Sequence, residues 1–392
     1  MSKPVIPFHK IKRAAVLGSG VMGSRIACHL AQTGCEVLLL DLPPAEGPRN
    51  SIADGHLKSA IKSNPSPLYS KHFAQRITTG NFDDDLAQIA NCDWIIEVVV
   101  ERLDIKQQLF ERVEQFRTAG TLITSNTSGI PLVQLSKGRS EDFQAHFCGT
   151  HFFNPPRYLP LLEIIPGPKT KPEVLAFVEA YGERILGKQV VVCKDTPAFI
   201  ANRVGVFAIQ ALFHTVDEMG LSVEAVDKLT GPAMGRPKSA TFRTCDVVGL
   251  DTLVHVAKGV ATNCPDDERA EVFQTPGFVK HLVDNNLLGS KSGAGFYKKV
   301  KNDHGKSEIL ALDLKTLEYR PKVKAKFATL DMAKAVENLD QRTKLLFNGQ
   351  DEAGTFYRRI FADVFAYVAN RIPEIADEPY RIDDALRAGC LL

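Results

Sequence analysis

The feature that most restricts how this chain can fold lies near its start. Residues 14–17 form a short apolar run, Gly18-Ser19-Gly20-Val21-Met22-Gly23 follows at once, and residues 26–32 continue with helical periodicity. A second apolar run, residues 37–40, ends in Asp41, about twenty residues beyond the glycines. Strand, glycine turn, helix, strand and terminal acid in this order form a dinucleotide-binding fingerprint. Gly18 permits the tight turn, Gly20 lets the backbone approach a pyrophosphate, and Gly23 allows the helix to pack closely on the strand. Val21 and Met22 open the helix whose N-terminus faces the phosphates. Asp41 is placed to bind ribose hydroxyls, and its charge favours NAD over NADP, whose extra phosphate it would repel.

Further strand ends lead towards the same crevice. Residues 93–100 read as a buried strand ending at Glu101, with a helix over residues 105–116 that carries Lys106 on its first turn. Glu97, buried in mid-strand, reads as structural. Residues 122–124 form the next strand, ending in the polar loop Ser125-Asn126-Thr127-Ser128-Gly129. The next run, residues 147–150, delivers His151. Ligands of open α/β sheets bind beyond the carboxyl ends of strands, so Glu101, Ser128 and His151 are site candidates.

His151 stands in Gly149-Thr150-His151-Phe152-Phe153-Asn154-Pro155-Pro156, and Glu163 lies within the apolar run Leu161-Leu162-Glu163-Ile164-Ile165. A carboxylate among leucines and isoleucines costs several kcal/mol unless it is hydrogen-bonded, and His151 is a hairpin's length upstream. If the two meet, the carboxylate fixes the imidazole tautomer and stabilises the imidazolium, which makes the histidine a general acid/base.

A chain of 392 residues needs more than one core, because single cores stop growing near about 250–300 residues. Its 44% apolar and 24% charged content suits a soluble globular protein. No apolar run approaches the roughly 20 residues of a membrane span. A net charge of +2 gives no argument for a nucleic-acid partner. The eight cysteines, Cys28, Cys35, Cys92, Cys148, Cys193, Cys245, Cys264 and Cys390, include no C-x-x-C pair and read as reduced core thiols; no metal site is expected. Residues 1–12 lack an apolar leader and residues 389–392 match no address signal, so the cytoplasm is the expected location. Lys58, Lys62 and Lys71 read as a solvated helix face over residues 55–76; the functional alternative is that Lys58 and Lys62 clamp a phosphate-bearing substrate.

After Asp195-Thr196-Pro197 the alternation of strands and helices stops. The expected architecture is a Rossmann-type domain over residues 1–197 and an all-helical domain over 198–297. A charge-rich linker over 298–326 and a partial second helical unit over 327–392 follow. That last unit is suggested by residues 356–368 and 381–386, which echo residues 199–229.

Four segments together resemble the L-3-hydroxyacyl-CoA dehydrogenases, including the dehydrogenase parts of larger fatty-acid oxidation proteins. They are G-S-G-V-M-G at Gly18 to Gly23, S-N-T-S at Ser125 to Ser128, H-F-F-N-P at His151 to Pro155, and K-D-T-P at Lys194 to Pro197, the last followed by Phe199-Ile200-Ala201-Asn202-Arg203. The resemblance runs over about residues 10–297. It implies NAD-dependent oxidation of an L-3-hydroxyacyl-CoA, with His151 as base, Glu163 orienting it, and Ser128 and Asn202 bonding the reacting oxygen. It also implies that Glu101, Lys106, Ser128 and Asn154 help hold the cofactor. The partners it implies are an acyl-CoA and either a second copy of the chain or a larger β-oxidation assembly. Arg157-Tyr158-Leu159-Pro160 departs from the pattern, so chain-length preference does not carry over. The alternatives are a dehydrogenase of a small hydroxy acid, of the sugar-acid or carnitine type, and a dinucleotide-binding protein without turnover.

Overall fold

The computed structural model describes residues 11–301 and 305–389. Most of the N-terminal stretch read for a leader, three residues of the expected linker, and Cys390 with the residues after it lie outside the described residues.

The short apolar runs of the first half become eight strands: β1 (Arg13–Leu17), β2 (Glu36–Asp41), β3 (Ile77–Asn81), β4 (Trp94–Glu97), β5 (Leu122–Ser125), β6 (Phe147–Phe152), β7 (Leu161–Pro166) and β8 (Gln189–Val192). They form one sheet in the order β3-β2-β1-β4-β5-β6-β7-β8. All neighbours are parallel except β6 and β7, which pair antiparallel. The helices α1 (Val21–Ala31), α2 (Ser51–Lys62), α3 (Leu103–Phe116), α4 (Leu132–Leu135), α5 (Glu141–Ala145) and α6 (Pro172–Arg184) connect the strands. Parallel strands covered by helices are apolar along their length, and β1, β2 and β4 are buried at nearly every position. The order reverses between β1 and β4, so the crevice of a doubly wound sheet opens beyond their carboxyl ends. Trp94, fully buried, sets its ring edge-on to Tyr181 at 5.8 Å and donates its indole N–H to Thr124 Oγ1 at 3.0 Å.

The chain divides into two compact units, one running to Phe199 and including Glu374–Gly389, the other Ile200–Pro373. The second unit carries α7 (Ala201–Met219), α8 (Val223–Thr230), α9 (Phe242–Val248), α10 (Leu250–Asn263), α11 (Gly277–Asp284), α12 (Ala328–Ala333), α13 (Leu339–Asn348) and α14 (Glu352–Asn370). The 19-residue helices α7 and α14 meet through Phe207 and Tyr367, whose rings stack at 3.7 Å. On α7 the buried Arg203 donates to Asp267 at 2.6 Å and to Tyr367 Oη at 2.6 Å. A buried guanidinium needs such partners, and removing one typically costs about 3–5 kcal/mol.

Two expectations require correction. Residues 298–326 are not a structureless linker: β9 (Tyr297–Lys301), β10 (Ser307–Leu312) and β11 (Tyr319–Pro321) form an antiparallel three-stranded sheet, anchored by the buried Ala311 and Leu312. Charge suggested a linker, but an antiparallel sheet tolerates a charged, solvated face. The helix over residues 55–76 is also shorter than expected: α2 ends at Lys62, and only a 3₁₀ segment, Lys71–Arg76, follows. Of the helices echoing residues 199–229, α14 lies in the second unit, while the last, α15 (Pro379–Gly389), packs on β7 and β8 of the first.

In the second unit Asp246 accepts the backbone N–H groups of Phe296 at 2.8 Å and Tyr297 at 3.0 Å, and Asp227 accepts Tyr297 Oη–H at 2.8 Å. Burial pushes each carboxyl up to about 6, against the pull of these donors. A raised folded-state value means that the folded chain holds the proton more tightly than the unfolded one. The stabilisation is complete at acid pH and is lost as pH rises through about 6. The excess in melting temperature of the wild type over Asp246→Asn should therefore shrink between acid and neutral pH. A constant or widening gap would contradict the burial argument.

Candidate active site

The glycine loop follows β1. Gly18 has φ +104°, and a Cβ there would lie 2.7 Å from the Val98 carbonyl oxygen. At Gly23 a Cβ would lie 1.8 Å from the Gly18 carbonyl oxygen, so this glycine sets how closely α1 approaches the loop. A Cβ on Gly20 would meet nothing within 4 Å. Gly20 thus borders open space at the N-cap of α1, where backbone N–H groups can meet an anion. Val21 is exposed and Met22 partly buried at the same helix end.

Asp41 ends β2 beside this loop. Its Oδ2 accepts the Ser19 backbone N–H at 2.7 Å and the Ser19 hydroxyl at 2.5 Å, while its Oδ1 accepts Leu42 N–H at 2.7 Å. The contact also brings in a residue that sequence reading missed. His56 on α2 places Nδ1 2.8 Å from Ser19 Oγ and 3.9 Å from Asp41 Oδ2. Lys58 and Lys62 are exposed on the same helix, one turn apart on a face that His56 does not share.

The strands β6 and β7 bring the histidine and the glutamate together. His151 and Glu163 are direct partners in the antiparallel register, and Nδ1 donates to Glu163 Oε2 at 2.7 Å. Their side chains are 7% and 0% exposed, so the bond operates with little water. A carboxylate only accepts, so the Nδ1 bond selects the tautomer with its lone pair on Nε2. Phe153 lies 4.4 Å and Phe199 5.6 Å from the imidazole, centroid to centroid, walling the ring with aromatic surface. Phe199 and its neighbour Ala198 adopt left-handed backbone conformations, φ 51° and 63°. Such conformations cost on the order of 1–3 kcal/mol each and persist where packing determines them. Both residues are buried here, and the backbone at Ala198 lies against Gly129, where an added Cβ would come within 3.3 Å of the Ala198 nitrogen.

The polar loop after β5 is tied from two sides. The Asn126 side chain accepts Phe152 N–H at 2.9 Å, joining the loop to the strand that carries His151. Glu101 Oε1 accepts the Thr127 hydroxyl and the Ser128 N–H, both at 2.7 Å. Burial alone would raise the Glu101 carboxyl; the Lys106 ammonium at 3.2 Å and these two bonds outweigh it and hold it below the usual carboxylate range. Lys106 is itself buried, with Nζ 2.7 Å from Glu97 Oε1. Asn154 is exposed just past β6. Asn202 sits in the first turn of α7 in the second unit, partly buried. Asp195 Oδ2 accepts Leu132 N–H at 2.8 Å, so the K-D-T-P segment fastens the start of α4. Among the described residues no cluster of histidine, cysteine or acidic side chains could hold a metal ion.

Residues 13–196 match the family model described as "3-hydroxyacyl-CoA dehydrogenase, NAD binding domain", and residues 199–299 match that of the C-terminal domain of the same family. The chain belongs to the 3-hydroxyacyl-CoA dehydrogenase family. Residues 13–196 are accordingly an NAD-binding domain, as the glycine loop and Asp41 led one to expect. Among relatives, a "Probable 3-hydroxyacyl-CoA dehydrogenase" of Deinococcus radiodurans is 47% identical over 75% of this chain and 84% of its own. One of the same name from Bacillus subtilis is 46% identical over 97% of this chain. The chain spans about half, 50%, of that Bacillus protein. The solved 3-hydroxybutyryl-CoA dehydrogenase of Escherichia coli superposes with a TM-score of 0.70, over 98% of this chain and 89% of its own. At 24% identity it speaks for the fold alone.

The two glycines separate binding from packing. Gly23→Ala should lower stability to urea by about 1–3 kcal/mol or more, because its Cβ has no room. Gly20→Ala should leave stability nearly unchanged yet weaken NADH binding by about tenfold or more, since its Cβ enters the phosphate space. A Gly20→Ala chain that binds NADH like the wild type would refute the loop's assignment.

Proposed function

We propose that the chain catalyses NAD-dependent oxidation of an L-3-hydroxyacyl-CoA to the 3-ketoacyl-CoA, as a step of fatty-acid β-oxidation. The observation that carries this reading is the buried His151–Glu163 pair at the carboxyl edge of an NAD-binding sheet. The relatives' printed names support the thioester substrate.

Oxidising a secondary alcohol removes a proton from oxygen as a hydride leaves carbon. His151 Nε2 takes that proton, and the ring turns cationic while Nδ1 stays bonded to Glu163. The Glu163 carboxylate, already desolvated, stabilises the imidazolium without reorganising. Ser128 and Asn202 donate to the substrate oxygen as it becomes a carbonyl. Glu101, Lys106 and Asn154 serve the cofactor, and Gly18, Gly20, Val21, Met22, Gly23 and Asp41 hold its pyrophosphate and adenosine half. The nicotinamide, when bound, accepts the hydride. Lys58 and Lys62 are the candidates for the phosphates of CoA. The cytoplasm is the proposed compartment, supported by seven described cysteines that are all free thiols. No helix among the described residues is long and apolar enough to cross a membrane. A second copy of the chain, or a larger β-oxidation assembly, is the proposed macromolecular partner.

The test is NADH consumption with acetoacetyl-CoA, with a long-chain 3-ketoacyl-CoA and with a 3-keto acid lacking CoA. Turnover of a thioester is expected, and His151→Ala should reduce it by about two to four powers of ten while NADH still binds. Turnover of the free acid alone would replace the substrate class. Binding of NADH without turnover of any of the three would leave only a nucleotide-binding protein.

A further inference from the structure

Glu97 ends β4 with no exposed surface, and it has three donors on its two oxygens. Oε1 takes the Lys106 ammonium at 2.7 Å and Val99 N–H at 2.7 Å, and Oε2 takes the Ser125 hydroxyl at 2.5 Å. Burial pushes the Glu97 carboxyl up, while the Lys106 charge and the donors on its two oxygens favour the ionised form. Lys106, 1% exposed, is equally saturated: its ammonium faces Glu97, the Val99 carbonyl at 3.2 Å and Glu101 Oε2 at 3.2 Å. One buried cation therefore bridges two carboxylates. A buried ion pair of this kind is a weak source of stability, because desolvation of each charge costs several kcal/mol. What it does well is fix a geometry. Here that geometry is the orientation of Glu101, whose other oxygen holds Thr127 and Ser128.

Sheet order says which part of the cofactor this cluster meets. The glycine loop follows β1 and Asp41 ends β2, so the pyrophosphate and the adenosine half belong there. β4 and β5 lie on the other side of β1, so Glu101 and the loop of residues 125–128 face the nicotinamide half.

We infer that Glu97 is a positioning residue for the nicotinamide half of the site. Through the buried Lys106 it holds the Glu101 carboxylate, and through Ser125 and Glu101 it holds the loop that carries Ser128. Lys106 then acts on the nicotinamide half through Glu101 as well. The inference rests on the proposed function for the role of this crevice.

NADH titration of the full chain, followed by cofactor fluorescence, tests it. Glu97→Gln should weaken NADH about tenfold, and in a Glu101→Gln background the same change should cost less than about threefold, because the pathway is already broken. In an Asp41→Asn background, at the far end of the cofactor, the tenfold effect should persist. A merely structural Glu97 would weaken binding equally in both backgrounds, and that result would overturn the inference. Should Glu97→Gln fail to fold, Glu97→Asp keeps the charge but draws it back from the Lys106 ammonium, loosening the bridge. It should weaken NADH and show the same coupling to Glu101, and an equal loss in both backgrounds would again overturn the proposal. Because the readout is binding, a wild type that binds NADH but turns over no thioester would sink the proposed reaction and leave this test readable.

Discussion

The site depends on one hydrogen bond made where there is almost no water, that between His151 Nδ1 and Glu163 Oε2. Either group alone would be a burden at that depth, since an unpaired buried charge or polar group costs several kcal/mol. Together they are tolerated because the β6–β7 register sets them opposite each other. β7 is the first strand to run against the rest of the sheet, and that reversal puts Glu163, near the start of β7, beside His151, near the end of β6. The antiparallel turn in an otherwise parallel run of strands is therefore what sets the two side chains opposite each other.

A similar economy governs the neighbouring strand ends. Glu97 and Lys106 bury one negative and one positive charge, the more exposed Glu101 adds a second carboxylate to the same ammonium, and the loop of residues 125–128 hangs from them. The left-handed Ala198 and Phe199 lie buried close by, with Phe199 against the His151 ring. Buried charge and backbone strain thus gather around the crevice, as expected where a site is held in one arrangement against local preference.

What could be read from the sequence was what depends on short-range spacing. The roles of Gly18, Gly20 and Gly23 follow from their order between a strand and a helix, and the glycine geometry agrees at each position. His151 and Glu163 were within reach because a hairpin separates them. What could not be read depends on packing across long separations. His56 reaches Ser19 and Asp41 only because α2 packs beside β2 and β3, and nothing in its neighbourhood in sequence marks it. Lys106 could be placed on the first turn of its helix from the sequence, but the burial of its charge inside the protein could not be read. The sheet of β9, β10 and β11 was hidden by its lysines, because charge density outweighed a short alternating pattern. That α15 groups with the first unit rests on contacts with β7 and β8 far back in the chain.

In the proposed reaction Glu163 makes His151 the acid/base. The most direct measurement is turnover of a 3-ketoacyl-CoA by Glu163→Gln under saturating NADH, alongside its NADH dissociation constant. The amide keeps the shape of the side chain but removes the charge that stabilises the imidazolium. Turnover should fall by about two to four powers of ten with NADH affinity nearly unchanged. Turnover at the wild-type rate, or an equal loss of cofactor affinity, would contradict the account.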